Sequence, residues 1–206
     1  MLRPDSPTIE IVRSDADNTV GWVSNIYVQI RTGRMTLEAL RELQSTARLI
    51  RARTPGKVGA FAVLEESAEV LGNEVRTEQK QVVGDLLADP RSYACAYIAG
   101  GGTKATLLRS ITRLITPSSP RVHTARSIEE GAAWLAGALG THTAAEIVRI
   151  VESVREVARK SVRGSRGLIR SWSAPTRTRS VAARGELPAL RGAARRLRGR
   201  PGSRRP

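Results

Sequence analysis

The chain has 206 residues, 34 Lys and Arg against 19 Asp and Glu, a formal net charge of +15 and 3% aromatic residues. The charge is split: from Arg159 onward lie 15 basic residues and one acid, Glu186, whereas residues 1–158 are nearly neutral. A core rich in aromatics is excluded, and the lone Cys95 excludes an intramolecular disulfide, which fits a reducing compartment. The longest apolar run, Val58–Leu64, is too short to span a bilayer. The N-terminal segment lacks the basic start and apolar stretch of a secretory signal, so the expected location is cytoplasmic.

In chain order, residues 8–12 form a β-type run followed by a turn-rich stretch through Asp15, Asp17 and Asn18. Val20, Trp22, Ile26, Val28 and Ile30 then alternate with smaller or polar residues, and that period of two predicts one strand with a buried face, paired in a hairpin with the first. Thr36 stands at the cap of a helix whose apolar face is Leu37, Leu40, Leu43, Ala47 and Ile50, stopped by Pro55-Gly56. Uninterrupted apolar character from 58 to 64 marks a strand covered on both sides or at a sheet centre. Asn73 is expected to cap a second helix with Val75, Gln79, Val82, Val83, Leu86 and Leu87 inward, ended by Asp89-Pro90.

Residues 93–99 read as another strand, and Gly100-Gly101-Gly102 leads into a helix carrying Leu107, Leu108, Ile111, Leu114 and Ile115. A short strand at 122–124 precedes Ser127 and Glu130, a capping-box pair opening a helix with Trp134, Leu135 and Leu139. Ile147, Ile150, Val151, Val154 and Val157 keep helical spacing over 143–160, a segment that either packs on the body or stands as an amphipathic arm. The order β-β-α-β-α-β-α-β-α predicts an α/β fold with a mixed, mostly parallel sheet, crossover helices and one antiparallel edge pair. Residues 161–206 hold too few patterned apolar residues to offset the entropy of ordering and are expected to form a disordered basic tail.

Residues with chemical potential do not converge. Gly100-Gly101-Gly102-Thr103-Lys104 has a strand-to-helix setting but not the spacing of a phosphate loop. His123 and His142 have no neighbours at metal-ligand spacing, and no nucleophile elbow accompanies Ser67 and His123. Asp85 and Asp89, four apart on one helix, read as solvated carboxylates, and Cys95 as a buried inert thiol. No catalytic, cofactor or metal site is therefore expected, and the chain reads as a non-enzyme. In the tail, Arg191, Arg195, Arg196, Arg198 and Arg200 suit a polyanion such as nucleic acid or an anionic surface, although an Arg-rich extension without a partner has the same composition. With Trp172 the single aromatic there, base stacking fits poorly.

Three stretches carry a resemblance: residues 30–36 (Ile-Arg-Thr-Gly-Arg-Met-Thr), the Pro55-Gly56 exit before 58–64, and residues 127–135 (Ser-Ile-Glu-Glu-Gly-Ala-Ala-Trp-Leu). Over residues 8–139 the chain resembles the STAS-like domains, the small bacterial α/β modules related to anti-sigma-factor antagonists. The resemblance implies a non-enzymatic regulatory protein–protein interaction module that binds around its second helix, here Glu65, Glu66, Ser67, Asn73, Glu74 and Arg76. Phospho-regulated members present a serine at the start of that helix. Here Ser67 falls early in a loop that Glu65, Glu66 and Glu69 make anionic, an awkward place to add a dianion. The alternative function is a nucleic-acid-associated protein that binds through the basic tail.

Overall fold

The computed structural model describes residues 8–116 and 118–172. Its elements run β1 (Glu10–Ser14), β2 (Asn18–Val23), β3 (Ile26–Arg31), α1 (Leu37–Arg53), β4 (Val58–Leu64), α2 (Asn73–Ala88), β5 (Ser92–Ile98), α3 (Gly102–Ile115), β6 (Val122–Ala125), α4 (Ile128–Leu139) and α5 (Ala144–Trp172). The six strands form one mixed sheet in the order β1-β2-β3-β4-β5-β6. The first two pairings are antiparallel and the remaining three parallel. Among the described residues no helix is long and apolar enough to cross a membrane.

The alternating run from Val20 to Ile30 is two strands and not one. Ser24 takes φ 53° and turns the chain back, so that Val23 pairs with Ile26 and Trp22 with Tyr27. Asn25 holds the turn by donating to Lys57 O at 2.8 Å and Thr141 Oγ1 at 3.1 Å. The sheet thus gains a strand, and a second antiparallel pair, over the sequence expectation.

Strand order without reversal places all three crossover helices on one face. Right-handed crossovers that each add a strand on the same side must do so. Tyr27, Gln29 and Arg31 of β3, Ala60 and Ala62 of β4, and Ala94 and Ala96 of β5 face α1, α2 and α3. Alternate residues, including Val28, Ile30, Phe61, Val63 and Cys95, face α4 and α5.

The second face is densely packed. Ile147, Ile150, Val151 and Val154 are fully buried, so α5 covers the sheet and is not a free arm. Gly21 of β2 permits this: a Cβ there would stand 2.5 Å from Val154 Cγ2. Gly131 does the same for α4, where an added Cβ would meet Phe61 Cζ at 2.7 Å and Cys95 Sγ at 2.8 Å. Ser127 caps α4 by accepting from Glu130 N at 3.1 Å, while the Glu130 carboxylate reaches Arg126 N at 2.8 Å, one residue short of a reciprocal box.

Helix α5 extends past the 143–160 segment read from apolar spacing. Residues 161–172 of the expected disordered tail are therefore helical, while residues 173–206, with Arg191, Arg195, Arg196, Arg198 and Arg200, lie outside the described residues.

The two α4 glycines make a paired test of this packing. Gly137 has open space around its Cβ position, so Gly137→Ala is expected to stabilise the domain by about 0.5–1 kcal/mol through helix propensity. Gly131→Ala makes the same chemical change against Phe61 and is expected to destabilise by roughly 1–3 kcal/mol. Thermal melts of the two variants should move in opposite directions; movement in the same direction would contradict the close seating of α4.

Candidate functional site

The carboxyl ends of β3, β4 and β5 carry the residues that the sequence singled out. The segment 65–72 leaves β4 and is fixed from several sides. Glu65 N donates to Arg31 O at 2.9 Å, Ala68 N to Glu65 O at 2.9 Å and Glu69 N to Gly33 O at 3.0 Å. Lys104 Nζ reaches Glu66 O at 2.9 Å, and Arg31 Nη2 reaches Glu69 O at 3.2 Å. Ala68 and Leu71 are buried beneath the loop.

Glu65 is committed to this internal scaffold. Arg155 of α5 grips it through two guanidinium nitrogens, with Nη2 at 3.0 Å from Oε2, and also binds Glu152 at 2.8 Å. The Arg155 pKa rises, chiefly through the hydrogen bond to Glu65, which outweighs a smaller opposing desolvation. Glu65 therefore joins the loop to α5, whereas Glu66, Ser67, Glu69, Asn73 and Glu74 are exposed and Arg76 is half-buried.

Asn73 does not cap α2. Gly72 occupies the cap position in extended backbone, no side chain caps the helix, and Asn73 is already its first helical residue. Its side-chain oxygen accepts from Arg76 Nη2 one turn on. Thr36, by contrast, caps α1 as the sequence predicts, accepting from Ala39 N at 3.1 Å.

The glycine turn after β5 is a helix start. Gly100 and Gly102 have φ values of 80° and 78°, which favour glycine. A Cβ on Gly100 would meet Glu66 Cγ at 3.1 Å, so the turn lies against the 65–72 loop. Lys104, the residue that invited a phosphate-loop reading, is directed to the Glu66 carbonyl. Of the apolar residues that the sequence places on α3, Leu108 and Ile111 are buried, but Leu107 is 47% and Leu114 78% exposed. Ala105 and Thr112 complete the buried face instead.

The remaining candidates are separate. His123 stacks on Trp134, with ring centroids 5.3 Å apart, and lies 3.3 Å from Glu130. His142 lies 3.0 Å from Asn25 Oδ1 in the β2–β3 turn. Among the described residues no group of three or more His, Cys, Asp or Glu is placed to hold a metal ion. Cys95 is 3% exposed, and burial pushes its thiol up to about 12, with the Glu130 charge adding to the rise; it is a packing residue. Asp85 is an exposed surface carboxylate, as the sequence predicts, and it also binds Arg48 and Gln44 of α1.

Sequence reasoning missed a second feature under the same helices. Between α1, α2, α3 and the sheet lies a cavity of about 170 Å³ with Ala60, Ala62, Ala94 and Ala96 on its floor. Of the six residues expected on the inward face of α2, Gln79, Val82, Val83 and Leu86 line this cavity, Val75 packs against the α1 side, and only Leu87 is buried. Arg31 also lines the cavity. The available signal was the placement of two pairs of alanines at alternate positions in two adjacent strands.

No family model, curated protein or solved structure matches the chain.

The two caps make a direct comparison. Thr36→Ala removes an acceptor in use and is expected to cost about 1 kcal/mol, roughly 2–4 °C in a domain of this size. Asn73→Ala removes no cap and should shift the melt far less. Equal losses in the two variants would restore Asn73 as the cap of α2.

Proposed function

We propose that the domain is a non-enzymatic regulatory interaction module of the STAS-like kind, which presents segment 65–72 and the first turn of α2 to a protein partner. The observation supporting this reading is the fixed surface itself. Hydrogen bonds from Arg31, Lys104 and the β3 end anchor the loop from below, while Ser67, Val70, Asn73 and Glu74 remain exposed. A loop ordered before binding spends little conformational entropy on association. Val70, 40% exposed beside three exposed carboxylates (Glu66, Glu69 and Glu74), supplies an apolar anchor within an acidic rim. That chemistry fits a partner surface with an apolar pocket bordered by Lys or Arg. Glu65 belongs to the support and not to the contact surface.

The test uses the full chain as bait, followed by binding isotherms for the partner recovered. Val70→Lys is expected to weaken binding at least tenfold with an unchanged melt. Ser67→Glu should change affinity little, because the loop already carries several carboxylates. Undiminished binding by Val70→Lys would sink this surface assignment, and a large loss in Ser67→Glu alone would restore a phosphorylation switch.

The charge asymmetry favours a second reading, nucleic-acid association through the tail. Replacing Arg191, Arg195, Arg196, Arg198 and Arg200 with Ser should then weaken duplex DNA binding. It should also flatten the log K against log salt slope by roughly one for each phosphate that is no longer neutralised. A slope that those substitutions leave unchanged would remove the tail from this role.

A further inference from the structure

The cavity under α1, α2 and α3 combines three observations. The first is its floor: Ala60 pairs with Ala94 and Ala62 with Ala96 across the parallel β4–β5 ladder, so four methyl groups occupy the middle of a six-stranded sheet. On the opposite face the same strands carry Phe61, Val63 and Cys95 against α4 and α5. Helix α2 does not settle onto the alanines, and about 170 Å³ remains. An apolar void of roughly 150 Å³ is enough to admit a benzene-sized molecule.

The second is Arg31. Its side chain lines the cavity and the residue is only 4% exposed. Nη2 donates to Glu69 O, but Nε is buried without a partner, and among the described residues Arg31 has no ion pair. Burial pulls the guanidinium down to about 10, which leaves it cationic at neutral pH. Across the β2–β3 ladder Arg31 faces Asn18, whose Oδ1 also lacks a partner. Even a bond between those two groups would set a neutral amide against a full charge. A buried cation needs an anion, or the cost of taking it from water stands uncompensated.

The third is the sign of the lining. Among the described residues its other charged residue is Arg51, and no Asp or Glu lines the space. Gln79 adds a neutral polar group, with Oε1 buried and unpartnered. A single buried guanidinium matches a monoanion of planar geometry better than a phosphate dianion, which requires more compensating charge.

We propose that this cavity binds a small amphiphile, an aromatic ring or short alkyl chain ending in a carboxylate, with Arg31 holding the carboxylate and the alanine floor accommodating the apolar part. This site lies beneath the sheet-facing sides of the helices and is distinct from the exposed surface proposed for a protein partner.

The experiment is calorimetric titration of the full chain with octanoate and benzoate, using octan-1-ol as the uncharged control and a thermal melt as second readout. At least one of the two carboxylates is expected to bind saturably at 1:1 and raise the melting midpoint. Octan-1-ol should bind at least tenfold more weakly than octanoate. Ala62→Leu fills the floor without altering any charge and should weaken carboxylate binding at least tenfold while keeping a cooperative melt. Arg31→Met should reduce octanoate to the affinity of the alcohol. If that variant does not fold, Ala62→Leu and the alcohol comparison decide. The proposal is overturned by absence of saturable binding of both carboxylates, by binding that Ala62→Leu leaves intact, or by equal affinities for octanoate and octan-1-ol.

Discussion

The strand order governs the rest of the molecule. From β3 to β6 each parallel strand is added beyond the last without reversal, so three crossover helices must share one face of the sheet. The other face is left to be covered by chain outside the crossovers, most of it from beyond β6, with Ile9 ahead of β1 also packed there. Helices α4 and α5 do so, reaching across β1 to β6 through contacts made close by Gly21 and Gly131. Open α/β sheets that reverse direction bind ligands in the crevice at the point of reversal. This sheet has no reversal among its crossovers. Its available space is consequently under the helices, and the surface proposed for a partner is on the loops at the carboxyl ends.

The two faces differ in energetic character. Burial of Ile147, Ile150, Val151 and Val154 against β2 and β3 contributes about 1.5–3 kcal/mol for each side chain, which makes α5 a structural member of the domain. On the opposite face side chains leave about 170 Å³ unfilled, and an enclosed void of that size would cost about 4 kcal/mol at ~24 cal/mol per Å³. Larger side chains at Ala60, Ala62, Ala94 or Ala96 would recover much of that energy. A loosely filled face beside a densely packed one, with a buried cation at its edge, is the distribution expected where packing yields to binding.

Periodicity in the sequence was sufficient for the elements whose burial is one-sided or complete. Val58–Leu64 and the α1 face with its Thr36 cap follow from the pattern, and so do Ile147, Ile150, Val151 and Val154 of α5. Val157, however, is only half-buried beside the buried Ala158, and spacing did not decide between packing and a free arm. Periodicity failed at the β2–β3 turn, where Ser24 interrupts the apolar series Val20, Trp22, Ile26, Val28 and Ile30 at a position that a continuous strand would give to an apolar residue. The α2 cap was misplaced because Asn73 has the right chemistry, while backbone geometry gives the position to Gly72. On α3, Leu107 and Leu114 belong to a wide apolar arc that the helix buries only in part. The loop candidates lie together on one segment and the first turn of α2, but the ion pair that turns Glu65 inward joins residues 90 positions apart and leaves no local trace. The cavity was illegible for a different reason. Apolar periodicity records which residues face inward and not how much volume they fill, so alanine reads as core.

Arg31 is the point at which the two proposed sites meet. The same guanidinium lines the cavity and donates to the Glu69 carbonyl, and Glu69 sits in the loop that carries Val70 and Ser67. Glu65 N, at the start of that loop, hangs from the Arg31 carbonyl. An anion that drew the guanidinium toward the cavity would alter one anchor of the loop while leaving the backbone anchor in place. Linkage then requires reciprocity: whatever free energy a bound carboxylate adds to or removes from partner affinity, the partner returns to carboxylate affinity. A coupling of about 1–3 kcal/mol is ordinary for such arrangements, and a single hydrogen bond to a charged group is worth about 1.5–3 kcal/mol. One buried side chain is thus large enough in energy, and correctly placed, to make occupancy of an internal cavity legible at the exposed loop without movement of the sheet.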